Sequence, residues 1–119
     1  MARAPGAATH GAVSMWRWEI IEDAARDLGD IWDYVYSYSG DEGYADTPLD
    51  SLEKLFDTIC RNPYAHAVYQ FPRGYTPLHE YRSANYGRYK AFYRTDKERE
   101  VVLIYRVRHI VSDFTRAAL

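Results

Sequence analysis

Residues 78–107 read LHEYRSANYGRYKAFYRTDKEREVVLIYRV, and this stretch decides the fold. It contains three runs rich in aromatic and β-branched residues, a composition typical of strands. These runs cover residues 78–85, 89–95 and 100–108, the last of them extending one residue past the quoted stretch. Two short polar breaks, at residues 85–87 and 96–99, have the length and composition of hairpin turns. The stretch therefore predicts an antiparallel meander of three strands.

Two amphipathic helices are predicted before the meander. Apolar side chains recur at three- and four-residue steps within residues 22–61, which places them on one face of each helix. The first helix ends near Gly40, since glycine supplies the positive φ common just past a helix C-terminus. Two starts are open for the second helix. Either Thr47 is the N-cap with Pro48 in the first turn, or the helix starts near Asp41 and kinks at Pro48.

The remaining segments complete a single α+β domain. Residues 16–21 alternate as a strand does, residues 64–77 predict a loop, and residues 110–119 predict a short C-terminal helix. Residues 1–14 are rich in Ala and Gly and predict a flexible N-terminal arm ahead of one domain over residues 15–119. The expected fold is an antiparallel helix hairpin packed on one face of a small antiparallel sheet.

Charge is distributed unevenly along the 119 residues. Residues 1–61 carry 12 acidic and 5 basic side chains, whereas residues 62–119 carry 5 acidic and 10 basic ones. A basic half on a protein of net charge −2 suits contact with phosphates or with an acidic protein partner. The single cysteine, Cys60, excludes an intrachain disulfide. With no secretion signal and no apolar run of membrane-spanning length, we expect a cytoplasmic protein.

Several signatures of catalysis are missing from the sequence. It has no glycine-rich phosphate loop and no nucleophile turn of the GxSxG type. The four histidines lack metal-ligand spacing, so we expect neither a metal nor a cofactor. His109, at the end of the last predicted strand, suits general acid–base chemistry. No carboxylate beside it in the sequence orients it, which favours a structural role at the corner between strand and helix.

Basic residues are interleaved with aromatic ones along all three C-terminal strands. Cations on adjacent strands can contact successive phosphates, and nearby tyrosines can stack on unpaired bases. A plain one-sided sheet with polar residues outward gives the same pattern. The basic surface predicted to meet a binding partner consists of Arg82, Lys90, Arg94, Arg106 and Arg108.

The order and spacing of four segments resemble the RelE/ParE superfamily of type II toxin–antitoxin toxins. The segments are AARDLGDIWDYV (24–35), RNPYAH (61–66), YRSANYGRYKAFYRTD (81–96) and VVLIYRVRHIVSDF (101–114). The resemblance extends over residues 16–119. It implies two helices against a small antiparallel sheet, a cognate antitoxin as partner, and no association with a membrane.

Two kinds of activity are implied by the resemblance. One branch of the superfamily cuts mRNA within the ribosome without a metal, and it implies Arg82, Lys90, Arg108 and His109 as candidate catalytic residues. Lys90 stands where these nucleases often have arginine, which keeps the charge and loses the planar fork. The other branch inhibits DNA gyrase and is not a nuclease.

The ending RVRHIVSDF and the acidic total are more similar to the gyrase-inhibiting ParE branch, which we therefore expect. The ribosome-dependent nuclease and a non-toxic module that only binds its antitoxin are the alternatives. Strict alternation along the last strand places Arg108 on the face of Ile104 and His109 on the face of Leu103. A shift of one residue would exchange the two faces.

Overall fold

The computed structural model describes residues 15–110, so the predicted arm of residues 1–14 and the predicted terminal helix from residue 111 on lie outside the described residues. The elements are β1 (Arg17–Ile20), α1 (Glu22–Ser39), α2 (Glu42–Arg61), β2 (Arg82–Tyr86), β3 (Tyr89–Asp96) and β4 (Val101–His109). The strands form one sheet in the order β1-β4-β3-β2. β1 is parallel to β4, and the other neighbours are antiparallel. The predicted α+β fold and its C-terminal meander are confirmed, but the prediction of a wholly antiparallel sheet is wrong, because β1 adds to the meander as a parallel edge strand.

The main core lies between the helix hairpin and one face of the sheet. Burying these apolar side chains is the dominant stabilising contribution to the fold. The ring of Trp18 lies 5.3 Å from that of Phe56, and its indole N–H donates to Asp57 Oδ1 at 2.8 Å. The fully buried Tyr93 donates its hydroxyl to the carbonyl of Pro63 at 2.7 Å, which satisfies the one polar group of its side chain. The core residues are Trp18, Ala24, Leu28, Leu52, Leu55, Phe56, Ile59, Cys60, Ala84, Ala91, Tyr93, Val102, Ile104 and Val107.

Of the two starts predicted for the second helix, the one near Asp41 is confirmed and the one at Thr47 is wrong. Asp41 is the N-cap, and its Oδ1 accepts from the backbone N–H of Gly43 at 2.8 Å and of Tyr44 at 3.3 Å. Thr47 instead donates its hydroxyl to the carbonyl of Gly43, one turn earlier, so it lies inside the helix. Pro48 follows it within α2. A good cap at Asp41 and the buried stripe outweigh the unfavourable proline.

The second predicted strand starts too early. Its pairing with β3 covers only residues 82–86, and Val68 forms an isolated bridge to Arg82. The backbone N–H of Tyr69 donates to the carbonyl of Tyr81 at 2.8 Å. Residues 78–81 therefore do not extend β2. The loop before them bonds to the start of β2 instead. The turn to β3 centres on Gly87, whose φ of 55° is left-handed.

A bulge in β4 reverses the predicted faces at its end. Ile104 pairs with Tyr93 and Arg106 pairs with Phe92, which leaves Tyr105 as an extra residue. Beyond an extra residue, the alternation of side chains changes sign. The faces predicted for Arg108 and His109 are therefore exchanged. None of the helices within residues 15–110 is long and apolar enough to cross a membrane.

Candidate functional site

Three cations share the sheet face that points away from the helices. Lys90 and Arg108 are direct cross-strand partners on β3 and β4. Directly paired residues point to the same side of a sheet. Arg94 lies four residues after Lys90 on β3, and since side chains alternate along a strand, both point to the same face. The guanidinium of Arg94 lies 5.9 Å from the centre of the Tyr105 ring. We call Lys90, Arg94 and Arg108 the cationic trio.

Aromatic side chains cover the part of this face beside the trio. The ring of Phe92, which is 1% exposed, lies 4.9 Å from the ring of Tyr69 in the loop before β2. Tyr81 packs edge-on against Tyr105 at 5.1 Å and against Phe71 at 5.9 Å. Burial raises the pKa of Tyr81, and the neighbouring Tyr105 acts in the same direction. The Tyr81 hydroxyl therefore stays protonated near neutral pH and serves packing.

Arg82 lies on the other face, because it pairs across the sheet with the core residue Tyr93. Its guanidinium donates to the carbonyl of His66 at 2.6 Å and to that of Tyr64 at 3.3 Å. It also forms an ion pair with Glu80 at 3.2 Å. Arg82 therefore anchors the loop that follows α2, and the structure does not bring it to the cationic trio.

Arg106 forms a bidentate ion pair with Asp27 on α1. Its Nε donates to Asp27 Oδ2 at 2.8 Å and its Nη2 to Oδ1 at 3.1 Å, and the backbone N–H of Val107 also donates to Oδ2 at 2.9 Å. The pairing of β1 with β4 ends at Ile20, and β4 continues beyond it. At this edge of β4, Asp27 on α1 accepts the backbone N–H of Val107 that a longer β1 would have bonded. The hydrogen bond to Asp27 raises the pKa of Arg106. A neutralised and largely buried arginine contributes little to a basic surface.

His109 lines a cleft of about 560 Å³ between α1 and the end of β4, which we call the α1–β4 cleft. Its ring meets that of Tyr89 edge-on at 5.5 Å. Burial raises the pKa of Tyr89, and the nearby Tyr38 and Tyr34 act in the same direction. Tyr89 is therefore a neutral hydrogen-bonding group near pH 7. The cleft is lined by Asp27, Asp30, Ile31, Tyr34, Tyr89, Arg106, Val107, Arg108 and His109.

The structure thus divides the residues singled out in the sequence. It brings Lys90 and Arg108 together and sends His109 to the opposite face. Sequence reasoning missed Asp27, which looked like one of several carboxylates on the solvent side of a helix, and no local signal connects it to a residue 79 positions later. Between residues 15 and 110, no group of three or more His, Cys, Asp or Glu side chains is placed to hold a metal ion.

The fold matches that of a known class of toxins. The profile of the family described as the ParE toxin of type II toxin–antitoxin system, parDE, matches residues 19–114, which is most of the chain. The chain belongs to the ParE toxin family. The predicted assignment to the RelE/ParE superfamily, and to the toxins of type II systems, is confirmed.

Two solved structures from toxin–antitoxin systems share the fold. The RelBE2 toxin–antitoxin complex of Mycobacterium tuberculosis is 23% identical with a TM-score of 0.54, over 82% of this chain and 93% of that one. The chromosomal ParDE system of P. aeruginosa is 15% identical with a TM-score of 0.60, over 81% of this chain and 97% of that one. At these identities the similarity is one of fold. No curated protein matches the chain.

Proposed function

We propose that this toxin is a cytoplasmic inhibitor of DNA gyrase, of the ParE type, that a cognate antitoxin neutralises. The observation that carries the proposal is the division of the candidate nuclease residues between two faces of the sheet. General acid–base catalysis needs a proton-transferring group within hydrogen-bond reach of the substrate that the cations hold. The register of β4 places the histidine and the Lys90–Arg108 pair on opposite faces of the sheet.

The separation follows from the two cross-strand pairs at the end of β4. Lys90 pairs with Arg108 on the face away from the helices, whereas His109 pairs with Tyr89, which packs against the main core. A phosphate held between Lys90 and Arg108 has the sheet backbone between it and the imidazole. The trio therefore supports binding to an acidic surface of a protein target better than it supports cleavage of RNA.

One observation favours the ribosome-dependent nuclease as a second candidate. The α1–β4 cleft is lined by both Arg108 and His109, together with Asp30 and Tyr34. A nucleotide entering from the edge of the sheet would meet a cation, an imidazole and a hydroxyl within one concave site. In this alternative His109 and Arg108 are the functional pair, and Lys90 is dispensable.

The two candidates predict different variant profiles. For a gyrase inhibitor, the purified protein abolishes supercoiling in vitro, Lys90→Ala and Arg108→Ala each weaken this inhibition by about tenfold, and His109→Ala leaves it within about twofold. For the nuclease, primer extension on translated mRNA shows cuts that His109→Ala removes. Unaffected gyrase at large excess would refute the first candidate. Induced expression without growth arrest would refute both and favour the non-toxic binding module.

The antitoxin is the partner that follows from this proposal. The solved structures that share the fold come from toxin–antitoxin systems. We expect the small reading frame beside the toxin gene to encode a protein that elutes with it on size-exclusion chromatography after co-expression. Independent elution of the two proteins would contradict this partnership.

A further inference from the structure

A niche of about 290 Å³ opens between α1 and α2. We call it the helix niche. Its apolar lining is formed by Ala25, Leu28 and Leu49, and two carboxylates with an indole ring complete it. Gly29 contributes no side chain, and a Cβ built at this position would meet nothing within 4 Å. The niche is lined by Ala25, Leu28, Gly29, Trp32, Asp33, Asp46 and Leu49.

The indole of Trp32 is held in place on two sides. Its ring stacks on Tyr36 with centres 5.0 Å apart and planes 12° from parallel. Its N–H donates to Asp46 Oδ1 at 2.9 Å. This bond fixes the Asp46 carboxylate beside the ring. An aromatic face next to a carboxylate, above an apolar floor, is the environment that a long cationic side chain prefers.

The helix segments around the helix niche carry an excess of negative charge, and Arg26, next to Ala25, is already paired with Asp23. Residues 27–53 contain eight Asp or Glu residues and no Lys, Arg or His. In the part of the chain that the structure describes, neither Asp33 nor Asp46 takes part in an ion pair. Both carboxylates are exposed, so a cationic side chain of another molecule can pair with them.

We propose that the helix niche receives one arginine or lysine side chain of the antitoxin. The alkyl part of that side chain lies along Leu28 and Leu49, and its charge lies between Asp33, Asp46 and the face of Trp32. This inference rests on the proposed antitoxin partner and deepens it. It assigns to the helix hairpin a recognition site that is separate from the cationic trio.

The antitoxin fits this niche better than the target does, because the niche and the sheet surface lie on different sides of α1. Gly29 and Asp27 are about 200° apart around the helix at 3.6 residues per turn. Asp27 points to β4. A partner that reaches both the helix niche and the sheet has to wrap around the hairpin. A segment that folds on binding can do so at a modest cost in affinity per contact area.

Gly29 allows a test in which the niche is filled while the fold is retained. Gly29→Leu occupies the open space, whereas Gly29→Ala adds one methyl group and leaves most of the niche open; both replace a poor helix former. Asp46→Asn keeps an acceptor for the Trp32 indole and removes the charge. Asp50→Asn removes the same charge one turn further along α2, outside the niche.

The measurement is the dissociation constant of each toxin variant for the antitoxin encoded beside the toxin gene, by calorimetry. We expect Gly29→Leu and Asp46→Asn to weaken binding by about 5- to 30-fold, with Gly29→Ala and Asp50→Asn within about twofold. A scan of the antitoxin's Lys and Arg residues to Gln should reveal one substitution that weakens binding to the parent toxin but not to Gly29→Leu. Thermal melts check that every variant is folded.

Unchanged affinity of Gly29→Leu and Asp46→Asn would overturn the proposal, as would the lack of any neighbouring protein that binds the toxin. Toxicity is a separate readout. If the parent toxin fails to arrest growth, the gyrase proposal fails, while the affinity comparison still decides the niche. If the toxin arrests growth and the antitoxin rescues all variants at equal doses, only the niche proposal fails.

Discussion

At the point where β4 continues past the end of β1, the carboxylate of Asp27 accepts three hydrogen bonds. Two come from the guanidinium of Arg106 and one from the backbone N–H of Val107. The side chain of Asp27 is 12% exposed and that of Arg106 is 18% exposed, so both charges are largely removed from water. Removing one partner of such a pair leaves the other charge buried and poorly compensated. An ion pair with a solvated carboxylate, such as that of Arg82 with Glu80, which is 61% exposed, contributes far less.

We therefore predict that Asp27→Asn lowers the free energy of unfolding by about 2–3 kcal/mol. Urea denaturation followed by circular dichroism measures this change. The control Glu80→Gln should stay within about 0.5 kcal/mol of the parent protein. Equal effects of the two substitutions would show that the Asp27 contacts do not hold α1 against β4.

Cys60 is fully buried in the main core. Burial raises the pKa of its thiol from 9.0 to about 12, and the charge of Asp57 acts in the same direction. Since the thiolate is the reactive form, we expect labelling by a disulfide reagent at pH 8 to be at least about 100-fold slower in the native protein than in denaturant. Rapid labelling of the native protein would mean that this part of the core opens readily.

The same pKa shift predicts sensitivity to alkali. The neutral thiol is favoured in the folded state, so its contribution to stability is complete below pH 9 and is lost as the pH rises towards 12. Burial also raises the pKa of Tyr93, which adds to the effect. The free energy of unfolding should fall between pH 9 and 11, and it should fall less steeply in Cys60→Ala. Parallel pH profiles for the two proteins would contradict this assignment.

At the scale of one helix, the two possible starts of α2 differ in which side chain caps it. Asp41 accepts two backbone N–H groups, whereas Thr47 bonds backward within the helix. We predict that Asp41→Ala lowers the free energy of unfolding by about 1 kcal/mol, while Thr47→Ala leaves it unchanged or slightly raises it, since alanine is the better helix former. Chemical denaturation of the matched pair measures both values. The reverse order would place the start of the helix at Thr47.

At the scale of one strand, alternation predicted where β4 lies but not which way its last residues point. The short apolar run from Val101 to Ile104, rich in β-branched residues and preceded by a polar turn, predicts a strand. Tyr105, the extra residue of the bulge, contacts Tyr81 and Arg94, and no local pattern contains these contacts. The opposite faces of Lys90 and His109 are therefore a tertiary property, which is why the candidate site was only partly predictable.

At the scale of the whole molecule, the helix hairpin and the meander follow from periodicity, capping and turn residues in the sequence. What did not follow are the contacts that join distant segments. The parallel pairing of β1 with β4 and the ion pair of Asp27 with Arg106 both connect residues about eighty positions apart. Each is selected by packing of the complete domain.

The loop before β2 is the largest such feature, because it builds a second core on the sheet face that lies away from the helices. Tyr69 contacts both Phe71 and Phe92, and its backbone is bonded to that of Tyr81. Buried aromatic contacts on both sheet faces couple the loop to the domain, so the loop should unfold with it. This segment, which the sequence predicts only as a loop, thus contributes to the stability of the domain.

We predict that Tyr69→Ala lowers the free energy of unfolding by about 2–3 kcal/mol, because it exposes Phe92 and leaves a cavity beside it. Tyr44→Ala is the matched control, since Tyr44 is 67% exposed on α2, and it should change stability by less than about 0.5 kcal/mol. Near- and far-ultraviolet circular dichroism should report one coincident urea transition in both variants. An early transition seen only in the near-ultraviolet signal would mean that the loop opens by itself. The loop with Tyr69 and Phe71 would then be a mobile element beside the cationic trio, and its opening would change the surface that a target meets.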